Sequence, residues 1–152
     1  ISYVFPNASF AKLNKIETPE LPRYYFKTIR KAVGQAIIYN DLIFCDLEEV
    51  RNADLIAEIS DYLLRMREIK SSFVVGRIDQ TCYFSIRNKT SKKAVGTIAL
   101  SIVRGIGYGG GHMKSAGGQI PLKSKTYEQI IEILKSRLLK KLGIKNAEEK
   151  QI

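Results

Sequence analysis

The sequence predicts an α/β domain in which helices pack on a mixed β-sheet built from hairpins. Three observations carry that reading. Short β-branched and aromatic runs come in pairs around Asn40-Asp41 and Asp79-Gln80, and such pairs read as antiparallel hairpins. Longer stretches between them repeat apolar residues at helical spacing. Hairpins alternating with helices also exclude a purely parallel sheet.

In chain order, residues 1–22 mix aromatic and polar residues without a sustained period and carry Pro6, Pro19 and Pro22. They read as a connecting segment with at most a short helix. A helix over Arg23 to Lys31 follows, ending before Gly34, where a C-cap glycine fits. Residues 1–33 are therefore expected to form a linker and connecting helix, 34–144 the folded unit, and 145–152 a frayed, solvated tail. Gln35–Tyr39 and Leu42–Leu47 read as the first hairpin. Asn52 is placed to cap a helix reaching about Lys70, with Leu55, Ile59, Tyr62, Leu63 and Met66 on its core face. Phe73–Ile78 and Cys82–Arg87 make the second hairpin. Ser91 can cap the next helix, whose stripe is Val95, Ile98, Ala99 and Ile102 and whose stop is Gly105. Gln119–Leu122 reads as an edge strand because Pro121 removes a ladder donor. Ser124 opens a last helix with Tyr127, Ile130, Ile131, Leu134, Leu138, Leu139 and Leu142 at helical spacing.

A chain of 152 residues, 45% hydrophobic and 26% charged, fits one globular domain with a real core. It begins at Ile1 and reads as a fragment. No apolar run approaches the roughly 20 residues of a membrane span, and no targeting segment is visible, so a cytoplasmic protein without a membrane partner is expected. Cys45 and Cys82 lack CxxC spacing and read as reduced packing residues. The net charge of +10, from 25 Lys and Arg against 15 Asp and Glu, suits an anionic partner. It equally suits the lysine-rich surface of a heat-adapted protein.

The stretch from Gly107 to Gly118 holds six of the chain's eleven glycines. Three in a row, Gly109, Gly110 and Gly111, precede the only histidine, His112. Backbone without Cβ atoms lets a ligand approach closely, which suggests a phosphate cradle. A short helix over Met113 to Gly117 would put the glycines at a helix N-terminus, where free amides favour anions. A flexible linker is the competing reading.

One histidine with no paired carboxylate motif gives no self-contained metal site, and a complete nucleophilic triad is equally remote. The residues point to binding. Arg87 and Lys89, at the end of the second hairpin, and Lys92 and Lys93, at the start of the next helix, can face the same anion as the glycines. A guanidinium grips phosphate bidentately, so Arg87 ranks above the lysines.

The run Cys82-Tyr83-Phe84-Ser85-Ile86-Arg87-Asn88-Lys89, a helix, then Gly109-Gly110-Gly111-His112-Met113-Lys114-Ser115-Ala116-Gly117-Gly118 resembles the C-terminal, DHH-associated domain of the DHH phosphoesterase superfamily. The likeness spans residues 34–142 in element order, and the GGGHxxxAG core with the SxR before it is its specific part. Ser115-Ala116-Gly117 stands where Ala-Ala-Gly is commoner, and Asn88 where Ser is usual. The resemblance implies a larger enzyme whose N-terminal DHH domain holds two Mn²⁺ ions and cleaves a phosphodiester, while this chain grips the substrate. It implies no cofactor in this chain. Arg87, Asn88, Lys89, Gly109, Gly110, Gly111 and His112 would contact a cyclic dinucleotide, short oligonucleotide or single-stranded DNA. The overall wording resembles the archaeal branch with an N-terminal potassium-channel-type nucleotide-binding domain.

Two readings compete: a stand-alone nucleic-acid binding module for single-stranded nucleic acid or tRNA, and a homodimerising domain using Leu55–Met66 or the last helix. A module spanning many phosphates loses affinity steeply with salt, whereas a dinucleotide pocket has a shallow slope. The chain alone is expected to hydrolyse no phosphodiester with added Mn²⁺, because one histidine cannot supply the metal ligands. Chelator-sensitive turnover of a dinucleotide by the purified chain would contradict this.

Overall fold

A computed structural model describes residues 20–152. Four helices, α1 (Arg23–Gln35), α2 (Ala53–Leu64), α3 (Val95–Ile102) and α4 (Tyr127–Lys141), pack on one seven-stranded sheet. Its strands are β1 (Ile37–Tyr39), β2 (Leu42–Glu49), β3 (Ser71–Ile78), β4 (Thr81–Asn88), β5 (Tyr108–Gly111), β6 (Ser115–Pro121) and β7 (Lys150–Gln151). Their spatial order is β5-β6-β4-β3-β2-β1-β7. Only β2 and β3 run parallel, and a parallel pair needs a crossover, which α2 supplies. Both expected hairpins form. Their turns place Asn40 at φ 56° and Asp79 at φ 52°, a left-handed conformation these residue types tolerate.

Side chains alternate across the sheet and feed two cores. Phe44, Phe73 and Phe84 face α3 and α4 and stack in series, with centroids 5.0 and 5.3 Å apart. Ile43, Cys45, Leu47 and Val74 face α1 and α2, with Ile56, Ile59 and Leu63 above them. Within that second layer the hydroxyls of Ser60 and Ser72 pair at 2.8 Å, and Ser72 donates to the Ser60 carbonyl. No buried hydroxyl is left unsatisfied there. Cys45 and Cys82 are free and buried, and desolvation pushes both thiols up to about 12.

Several local expectations are corrected. α1 runs through Gly34, because Ala32 and Ala36 still have to reach the second core. α2 stops at Leu64 rather than near Lys70: Arg65 and Met66 tighten onto the carbonyls of Tyr62 and Leu63, and Glu68 turns the chain at φ 73°. Its core face uses Ile56, while Tyr62 is half exposed. Asn52 does cap α2, accepting from the Leu55 amide. Ser91 does not cap α3, which starts after Ala94 with no side-chain cap. The last helix is capped by Thr126, not Ser124, in a reciprocal box with Gln129. The strand at Pro121 is not an edge, since β6 lies between β4 and β5. Pro121 is tolerated because it pairs only with Thr81, beyond the end of β5. The tail is not frayed throughout: Lys150 and Gln151 pair with β1 as β7. The connecting segment expected over residues 1–22 lies almost wholly outside the described residues.

Thr126→Ala is expected to lower unfolding free energy by about 0.5–2 kcal/mol, since it removes one half of the capping box and the side-chain acceptor of the Gln129 amide. Urea denaturation of the two proteins measures it.

Candidate functional site

The glycine stretch is neither a flexible linker nor the start of a helix. It is a β-hairpin, β5 and β6, joined through His112, Met113 and Lys114. The helix expected over Met113 to Gly117 is absent because Ser115–Pro121 pairs along β4 residue by residue. The free helix N-terminus expected to hold an anion is also absent. The amides of Val95 and Gly96 at the start of α3 donate to the carbonyls of Met113 and His112, so the hairpin's backbone satisfies them.

That clasp explains the glycines on one face. A Cβ at Gly109 would lie 2.7 Å from the Ala99 carbonyl oxygen, and one at Gly96 would lie 2.5 Å from that of Gly111. Gly111 itself sits at φ 156°, with Ala116 2.5 Å from where its Cβ would be. Gly110 differs. A Cβ there meets nothing within 4 Å, because it projects from the face turned away from α3.

On this free face the register builds a lattice of three rows across β4, β6 and β5. Tyr83, Gln119 and Tyr108 form one row, and Ser85, Gly117 and Gly110 the next. Arg87 and Ser115 form the third, beside the His112–Lys114 turn. Rows lie two residues apart, or about 6.7 Å, and strands about 4.8 Å apart. The middle row carries almost no side-chain bulk, so it is a trough. Its wall on the β4 side is α2, which presents Ala53, Ile56 and Ala57 to a cavity of about 220 Å³ that Ser85, Arg87 and Gly117 also line.

Arg87 is 8% exposed. Its Nε donates to Asp61 Oδ1 at 2.8 Å, and its Nη1 to Ser85 Oγ at 2.6 Å, the Ile86 carbonyl at 3.1 Å and the Ala116 carbonyl at 3.2 Å. Nη2 has no hydrogen bond among the described residues. The guanidinium is thus fixed on one side and leaves its other nitrogen for a ligand, a geometry that suits an oxyanion. Asp61 was not legible as a site residue, because an exposed carboxylate on an amphipathic helix carries no signal of its buried partner. Ser85 was legible only through the SxR spacing.

The remaining expected contacts are distributed differently. His112 is exposed on the turn, and its backbone is held at both ends, the amide donating to Ser115 and the carbonyl accepting from Gly96. Gly110 opens onto the trough, whereas Gly109 faces α3. Asn88 is buried, donating to Ser71 Oγ at 2.6 Å and accepting from Thr90. Lys89 is exposed and reaches the Met66 carbonyl, and Lys93 reaches that of Leu142. Among the described residues no three His, Cys, Asp or Glu side chains gather where a metal ion could be held. The resemblance assigns its Mn²⁺ pair to a preceding domain and not to these residues.

The family pattern of the DHHA1 domain matches residues 34–140. The chain belongs to the DHHA1 domain family. This is the C-terminal domain of the DHH superfamily. A curated protein of Methanocaldococcus jannaschii, itself uncharacterized, is 28% identical over 146 residues, which cover 90% of this chain. Cyclic-di-AMP phosphodiesterase GdpP of Bacillus subtilis is 28% identical over 131 residues, or 78% of this chain. The chain spans only 30% and 19% of the lengths of these two relatives. Among solved structures, an exopolyphosphatase-related protein of Bacteroides fragilis superposes with a TM-score of 0.62 at 13% identity, over 87% of this chain and 38% of that one. The C-Ala domain of Aquifex aeolicus alanyl-tRNA synthetase superposes with a TM-score of 0.52 at 21% identity, over 68% of this chain and 96% of that one. Both structural likenesses speak to the DHHA1 fold.

The two neighbouring glycines of this DHHA1 domain are expected to respond oppositely. Gly109→Ala drives a methyl group into the Ala99 carbonyl and should cost about 1–3 kcal/mol of stability. Gly110→Ala should stay within about 0.5 kcal/mol of the parent. Thermal unfolding of both variants tests it, and equal losses would contradict the assignment of faces.

Proposed function

We propose that this DHHA1 domain is the substrate-binding part of a DHH-type phosphodiesterase acting on cyclic dinucleotides, short oligonucleotides or single-stranded DNA. The observation that carries the reading is the trough of Ser85, Gly117 and Gly110 beside the Nη2 of Arg87, which has no partner among the described residues. Substrate phosphate would lie against Nη2, with sugar and base over the glycine floor, where backbone can be approached without side-chain interference. His112, exposed at the turn, would donate or accept one further hydrogen bond. In this reading a preceding DHH domain of the parent protein holds two Mn²⁺ ions and cleaves the ester, while this chain positions it. The Bacillus subtilis relative, named for cyclic-di-AMP phosphodiesterase activity, supports a dinucleotide substrate. The Methanocaldococcus jannaschii relative is in keeping with the archaeal branch. No helix among the described residues is long and apolar enough to cross a membrane.

Calorimetric titration with the 5′-phosphorylated adenine dinucleotide pApA tests the proposal. Gly110→Val should abolish binding while circular dichroism stays that of the parent, since its side chain enters open space and fills the trough. Arg87→Lys keeps a cation near Asp61 but loses the guanidinium fork, and should weaken binding by about 1.5–3 kcal/mol. Lys123→Ala and His112→Ala should each cost less. Parent-like affinity in both the Gly110 and Arg87 variants would remove the trough from the site.

A further inference from the structure

We infer that Tyr108 is a stacking platform for a second nucleobase, making this domain selective for substrates of two nucleotides over one. The inference rests on the proposed phosphate position at Arg87. Two observations converge on it. Tyr108 is 71% exposed, the most of any large hydrophobic side chain among the described residues. It also stands on the same face of β5 as Gly110, so it borders the trough at the end opposite Arg87.

The dimensions decide between one nucleotide and two. From the Arg87 row to the Tyr108 row is four residues along the strands, about 13 Å, and from β4 to β5 is two strand spacings, about 10 Å. A single nucleotide held by its phosphate at Arg87 places its base over the glycine floor and does not span to Tyr108. A second nucleotide joined to it does. The intervening Ser85, Gly117 and Gly110 offer nothing bulky in its path. An aromatic ring takes any base on its π-face, which gives affinity with little sequence preference. The phosphate position at Arg87 commits the occupant to a nucleotide rather than an uncharged aromatic group.

The discriminating measurement is the ratio of affinities for pApA and AMP, titrated calorimetrically against the full chain. Tyr108→Ala should weaken pApA by about 5- to 150-fold, the usual range for losing one stacked base, and leave AMP unchanged. Tyr108→Phe should restore the parent ratio, because it keeps the ring and loses only the hydroxyl. Arg87→Lys should weaken both ligands together. If Tyr108→Ala weakens neither ligand, or both equally, the platform is wrong while the Arg87 site stands. If the parent binds neither ligand, the underlying site fails and the platform with it.

Discussion

The backbone clasp between α3 and the glycine hairpin is the constraint on which the rest of this surface depends. Two amides at the start of α3 have no side-chain cap and take the carbonyls of His112 and Met113 instead. Contacts that close require both partners to lack bulk, and Gly96 and Gly109 meet that need, while Gly111 meets the same need against Ala116 within the hairpin. The hairpin is thereby held flat against α3, and its other face is free. Of three consecutive glycines, two are explained by packing, while a Cβ on the middle one would meet nothing within 4 Å and leaves room for the proposed ligand. A glycine-rich signature can thus encode two unrelated physical demands in alternating positions, because successive residues of a strand face opposite ways.

Arg87 shows how a side chain proposed to bind substrate is made rigid without spending all its donors. It ties α2, β4 and β6 together through Asp61, Ser85 and the Ala116 carbonyl. The charge is buried yet paired, and the pairing partner is itself 59% exposed, which keeps the desolvation cost of the pair low. A ligand phosphate would meet a guanidinium already fixed in direction, so little side-chain entropy remains to be lost on binding.

Much of this was legible from residues. The two hairpins followed from Asn40-Asp41 and Asp79-Gln80, and the apolar stripes of α3 and α4 from their spacing. The specific pairing of an SxR strand with GGGH pointed to Arg87 beside the glycines, which the β4–β6 register places there. What was not legible depends on contacts between distant segments. The cap of α3 comes from the backbone of residues 112 and 113, which no local propensity reveals, so Ser91 was favoured in its place. The Met113 to Gly117 stretch has no strand-like composition, and only pairing with β4 makes it a strand. Lys150 and Gln151 are polar and terminal, and β7 exists only because β1 offers an edge.

The same sheet carries a lesson about solubility. A seven-stranded open sheet has two rims where unpaired amides and carbonyls invite another chain, and a long flat rim templates aggregation. Here the rims are β5, four residues long, and β7, two residues long, while the eight-residue strands β2, β3 and β4 are interior. One rim is glycine-rich and shielded on one side by α3; the other is formed by lysine and glutamine. Among the described residues neither offers the extended apolar ladder that a fibril needs to grow, so the bare backbone of the glycine hairpin lies at a rim too short to template one.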